Sequence, residues 1–196
     1  MMQYNFINLE GVLSTNIRYS HVFNNTRYYG AVLKVPRSVD RSDYINLFIP
    51  ESTFSDLDLS KGDKIAVKGN LVQTFVSKVK NVSVLVKNIT MDSEGSSYSN
   101  SGELKGEVLR SYDLIELSRI DKQVKPLLIK CYPDNSERSV ILKCSAWNKL
   151  AEFIDSEYKQ GDTIHVKYKL ESKKHITGDD KSVDRVEGVI LSVYHD

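Results

Sequence analysis

Apolar and polar residues alternate with a period of two along much of the chain, the pattern of strands that bury one face. In "DYINLFIP" (43–50), Ile45, Leu47 and Ile49 share one face, while Tyr44, Asn46 and Phe48 take the other. In "LKCSAWNK" (142–149), Leu142, Cys144 and Ala146 alternate with Lys143, Ser145 and Trp147 in the same way. The period changes once. Leu150, Phe153, Ile154 and Tyr158 recur at helical spacing, which predicts a helix ended by Gly161 before the chain turns into a strand. The matching stretch "PESTFSDLDLS" (50–60) holds Pro50 and small or acidic breakers, so a turn or degenerate helix ending at Gly62 is expected there.

The pattern is written twice. "GDKIAVKGNL" (62–71) and "GDTIHVKYKL" (161–170) share Gly, Asp, Ile, Val, Lys and Leu at the same positions, and the alignment runs back without a gap to lay Phe48 over Trp147. Farther back, "LEGVL" (9–13) matches "LKGEVL" (104–109), and "GAVLKV" matches "PLLIKC" with Lys34 over Lys130. The chain is a duplication. Between the copies, "MDSEGSSYSNSG" is Ser/Gly-rich and has no apolar period, so it reads as a flexible linker. The organisation predicted is a domain over 1–90, a linker over 91–102 and a second domain over 103–196. Each half orders as three strands, a short helix or loop, and two strands. That is the plan of the OB-fold, so the fold class expected is all-β with short helices, as two tandem five-stranded Greek-key barrels.

Within this frame, "AWNKLAEFIDSEYKQGDTIHVKYKL" (146–170) resembles the segment of bacterial single-stranded DNA-binding proteins in which an aromatic ends strand three and a Lys-Leu-Ala-Glu helix leads into strand four. The first half resembles the same family in "DYINLFIP" and "KGDKIAVKGNL", with Gly69 at the usual glycine; primosomal replication proteins share parts of the pattern. The resemblance implies that Phe48 and Trp147 are base-stacking aromatics. Familiar members continue into a long acidic-tipped tail. This sequence ends "VEGVILSVYHD", on its last predicted strand, and no such tail is expected.

Sequence-tolerant binding of a single strand needs a basic groove and exposed aromatic faces, each stack contributing about 1–3 kcal/mol. Strand parity turns Tyr44 and Phe48 outward in the first copy and Lys143 and Trp147 in the second. It also exposes Tyr28 with Lys34, and Tyr132 with Lys130, beside them. The loop between strands four and five adds Phe75, Lys78 and Lys80 in the first half and Lys173, Lys174 and His175 in the second. Arg37 joins this set, within a first half also richer in Tyr19, Arg27 and Arg41.

Charge changes the picture only slightly. The 27 basic and 26 acidic residues leave a net charge of +1, so any attraction for a polyanion must come from local arrangement. Residues 1–95 hold 11 Lys and Arg against 9 Asp and Glu, and the rest hold 16 against 17, which makes the first half the expected phosphate contact. The N-terminal "MMQYNFINLEG" lacks a signal-peptide pattern, and no apolar run approaches a membrane span, so a cytoplasmic protein without membrane contact is expected. The Asn-x-Ser/Thr triplets at Asn24, Asn81 and Asn88 then read as chance.

Chemistry is not in evidence. His21, His165, His175 and His195 have no metal-ligand spacing, and Cys131 and Cys144 read as small buried thiols on neighbouring strands. Asp179, Asp180 and Asp184 read as solvated hairpin charge, and no phosphate-binding or nucleophile motif occurs. No enzyme activity and no cofactor are expected. The sequence supports a single-stranded DNA-binding protein of replication, recombination or mobile-element transfer. The alternative is an OB-fold adaptor holding another replication protein, with weak DNA or RNA binding. A homodimer is the expected assembly.

Overall fold

A computed structural model describes residues 4–76, 79–91, 98–133, 137–176 and 182–194. Lys78, Asp179, Asp180, His195 and the centre of the expected linker, 92–97, lie outside them. The alternating segments become strands. The first half contains β1 (Asn5–Leu13), β2 (Arg18–Phe23), β3 (Thr26–Ser38), β4 (Arg41–Pro50), β5 (Lys64–Val76) and β6 (Val79–Met91). The second contains β7 (Asn100–Ser111), β8 (Ile115–Leu117), β9 (Lys122–Cys131), β10 (Val140–Trp147), β11 (Thr163–Ile176) and β12 (Ser182–Val193). Strand therefore occupies both ends of the segment read as a linker, Met91 in β6 and Asn100 to Gly102 in β7.

Each half closes on itself. In the first, β3 and β4 are antiparallel, β4 runs parallel to β6, β5 pairs antiparallel with β6, and β1 bonds both β5 and β3. The second repeats this with β9, β10, β12, β11 and β7. This is a tandem pair of five-stranded OB-type barrels, each with an added strand, β2 on β3 and β8 on β9. Closure needs glycine where strands cross: a Cβ on Gly11 would fall on the Lys34 carbonyl, and one on Gly106 on the Lys130 carbonyl.

The β2 strand was not legible as a strand because all six of its residues are exposed. Its signal was the Asn24-Asn25 turn, where both residues take positive φ (46° and 59°), as a tight two-residue hairpin requires. The helix, α1 (Lys149–Glu157), buries Ala151 and Ile154 and ends at Tyr158. Gly161 lies beyond it, which corrects its expected role as the helix terminator. The first half has only a 3-10 turn at Glu51–Thr53.

Gly161 and Gly62 instead belong to the turn that leads into β11 and β5. Both take positive φ (97° and 105°). Gly62 N donates to Leu13 O and Gly161 N to Val108 O, each at 2.9 Å. The following aspartate locks the turn: Asp63 Oδ2 accepts from Ser60 N at 2.7 Å, and Asp162 Oδ2 from Lys159 N at 2.6 Å. The repeated Gly-Asp is a turn that fastens β5 to β1 and β11 to β7.

Parity places the core as expected. Ile45, Leu47, Ile49, Leu142, Cys144 and Ala146 are at most 1% exposed, with Leu9, Leu33, Ile65, Leu71, Leu104, Ile129, Ile164 and Leu170 packed alongside. Each large side chain so buried contributes about 1.5–3 kcal/mol. Cys131 is buried too, and burial pushes its thiol up to about 12 and that of Cys144 higher, so both stay protonated. Among the described residues, no helix is long and apolar enough to cross a membrane.

The barrels join through an antiparallel ladder between β1 and β7. Asn5 pairs with Leu104, Ile7 with Gly102, and Leu9 with Asn100. Because Leu9 and Leu104 are repeat equivalents, as are Asn5 and Asn100, the ladder has an internal two-fold passing between Ile7 and Gly102. The Asn5 side chain brackets the Leu71 backbone, and the Asn100 side chain brackets Leu170 at the matching place.

Candidate nucleic-acid interface

The outward face of the first barrel is built on the β3–β4 hairpin. Register lines up Tyr28 with Pro50, Gly30 with Phe48, Val32 with Asn46, and Lys34 with Tyr44. Gly30 leaves nothing over that position, so the Phe48 ring stands beside an open strand. A groove of 510 Å³ runs there, lined by Ser14, Arg18, Phe48, Lys61, Thr74 and Phe75 among others. Its lining mixes the hydroxyls of Thr74 and Ser83, whose Oγ1 and Oγ lie 2.8 Å apart, with the apolar Ala31, Val32 and Leu47.

A second hollow continues past Phe48 and Phe75 to His21, Phe23 and Tyr28. His21 stacks on Tyr28 at 5.3 Å between ring centroids and meets the Phe48 ring edge-on at 6.0 Å. Arg138 reaches over from the second half to lie 5.5 Å above the Phe23 ring. Phe75 is 71% exposed, an unusual position for a large aromatic unless something covers its face.

Of the residues predicted from sequence, Tyr28, Phe48 and Phe75 are thus brought together, with Lys80 opposite Phe75 in the β5–β6 register. Lys34 and Tyr44 continue the same face. Phe75, Lys80, Lys173 and Lys174 lie on strands and not in loops, because β5, β6, β11 and β12 extend as long ribbons. Sequence reasoning missed Arg18, Lys61, His21, Phe23 and Arg138 at this face. Arg18, His21 and Phe23 were hidden with β2, and Arg138 is brought in from the other half of the chain.

Arg37 stands apart from the groove residues. Its Nε donates to Asp43 Oδ2 at 3.0 Å, its Nη1 pairs with Glu171 Oε2 at 3.2 Å, and its Nη2 donates to Ser172 O at 3.3 Å. Asp43, only 1% exposed, also accepts from Ser172 N at 2.6 Å. The guanidinium fastens β4 to β11.

The second barrel presents a different face, and its register corrects the alignment of Phe48 with Trp147. With Lys34 and Lys130 in matching places, the position of Phe48 is taken by Ser145, and Trp147 falls two residues on, at the position of Pro50. Tyr132 carries Lys130 over its ring at 5.6 Å, and Trp147 is half-buried opposite Val124. Lys143 and Lys173 both bind Glu187, at 2.9 and 2.7 Å. Burial pushes the Glu187 carboxyl up, but hydrogen bonds from the two ammonium groups outweigh it and hold it below the ordinary carboxylate range.

No protein-family model matches the chain, and no curated protein matches it significantly in sequence. In three dimensions it is similar over its whole length to the single-stranded DNA-binding protein of Thermus aquaticus, with a TM-score of 0.76 at 21% identity, covering 94% of that chain. A variant of the same Thermus aquaticus protein carrying a deletion and a point substitution matches with a TM-score of 0.77 at 20% identity, covering 96% of its chain. The resemblance drawn from two short sequence stretches is matched by the fold of the entire chain.

Proposed function

We propose that this chain binds single-stranded DNA without sequence preference, through base stacking and phosphate neutralisation and with no chemical step. The observation that carries the reading is the first-barrel groove, which the half-buried ring of Phe48 and the exposed ring of Phe75 line together with the basic Arg18 and Lys61. Bases supply flat faces for such rings, and phosphates supply charge for the rim. The shared fold of a protein named for this activity supports it. Replication, recombination or transfer of a mobile element is the setting this activity suits, in a dimer of chains.

A second reading, an adaptor that holds a replication protein, is favoured by the second barrel, where Glu187 already neutralises two of the lysines. The test is anisotropy titration of labelled oligo-dT with the full chain and Phe48→Ala. Single-strand binding predicts a loss of about 1–3 kcal/mol with an unchanged salt slope, since a stack releases few counterions. A duplex of the same length should compete weakly. Absence of oligo-dT binding by the unsubstituted chain would leave the adaptor reading.

A further inference from the structure

We propose that the strand held in the first-barrel groove leaves it over Lys34 and Tyr44 and crosses a basic saddle shared by both halves, while the corresponding face of the second barrel is closed to it. The inference rests on the function proposed above and specifies the route.

The saddle is a cavity between the β3–β4 hairpin tip and β11, lined by the cations Lys34, Arg37, Arg41 and Lys174, by Tyr44 and by one carboxylate, Asp40. Arg37 is already held by Asp43 and Glu171, and Asp43 Oδ1 and Tyr44 N both bond Ser172. These contacts hold the β11 backbone beside the hairpin. Lys34, Arg41 and Lys174 make no ion pair among the described residues. Three cations from two halves therefore converge where Tyr44, 36% exposed, offers a ring. The route is continuous: Tyr28 to Lys34 along one strand is about 20 Å of outward face at the usual rise.

The second barrel cannot offer the same route. By register, Ser83 lies opposite Val72 and Glu187 opposite Glu171, so these two are equivalent positions, as are Thr74 and Lys173, while Lys143, opposite Leu128, stands where the first barrel has Asn46 opposite Val32. Where the first barrel has a hydroxyl pair under an open groove, the second has a buried carboxylate, 7% exposed, tied to two lysines that would otherwise meet phosphate. A phosphate arriving there would face Glu187 and would have to break both ion pairs.

The experiment measures the salt dependence of oligo-dT anisotropy for the full chain and its variants, each checked for folding by circular dichroism. Lys174→Gln and Arg41→Gln should each flatten the slope of log K against log salt by about 0.7. Lys143→Gln and Trp147→Ala should leave affinity and slope unchanged, and Glu187→Gln should steepen the slope by releasing Lys143 and Lys173. Unchanged slopes in Lys174→Gln and Arg41→Gln would overturn the saddle. A loss in Trp147→Ala equal to that in Phe48→Ala, or an unaltered slope in Glu187→Gln, would overturn the closed second face. If the unsubstituted chain does not bind oligo-dT, the functional reading falls and this inference with it; binding with the wrong slopes overturns the inference alone.

Discussion

The Asn5 side chain replaces a strand for Leu71: its Oδ1 accepts from Leu71 N at 2.9 Å and its Nδ2 donates to Leu71 O at 3.3 Å. Asn5 is 1% exposed, so neither group has water to fall back on. Asn5→Leu should lower stability by about 1–3 kcal/mol, the cost of leaving buried backbone groups unpaired. Asn100→Leu should cost a similar amount, because Asn100 treats Leu170 the same way at 2.9 and 2.7 Å. Urea unfolding of the two variants checks both, and a large loss in only one would contradict the two-fold.

The pairing of Arg37 with buried Asp43 holds the halves together as well as the hairpin. Arg37→Ala should cost about 3 kcal/mol, the low end for breaking a buried ion pair, because Ser172 N remains on the carboxylate. Denaturant unfolding measures the loss.

Barrel closure gives a third outcome. Gly106→Ala sets a methyl against the Lys130 carbonyl, backbone that cannot swing aside, and should destabilise by about 1–3 kcal/mol through forced strand separation. Gly11→Ala should behave alike at Lys34. Thermal unfolding at neutral pH reads both, and an unchanged midpoint would show that the crossing strands give way freely.

The Glu187 triad predicts an acid response. Its carboxyl is depressed below the ordinary 4.5 in the folded chain. Such a group contributes stability that is fully present above the unfolded value and is lost as pH falls through the folded one. Stability should therefore drop on acidification below about 4.5, and Glu187→Gln should show a shallower drop over that interval. Urea midpoints measured from neutral pH downward compare the two; parallel curves would remove Glu187 from the response.

Alternation along each strand, the helical spacing of Leu150, Phe153 and Ile154, and the duplicated Gly-Asp turn were all readable in the sequence, because each is a relation between residues a few positions apart. Local geometry sets those periods whatever the rest of the chain does. The outward set of Tyr28, Lys34, Tyr44 and Phe48 followed from parity alone. What β2 would do was not readable, since a strand with every residue exposed carries no apolar period. Nor could periodicity show that Arg37 faces Glu171, that Arg138 covers Phe23, or that Glu187 claims both Lys143 and Lys173. Parity tells which side a residue is on, not who waits there. Which cations can meet a phosphate and which are already spoken for was decided only when distant strands packed. Glu187 of β12 takes Lys143 of β10 and Lys173 of β11 within the second barrel, and Arg37 of the first half takes Glu171 of the second, so that two barrels nearly alike in pattern present unlike faces.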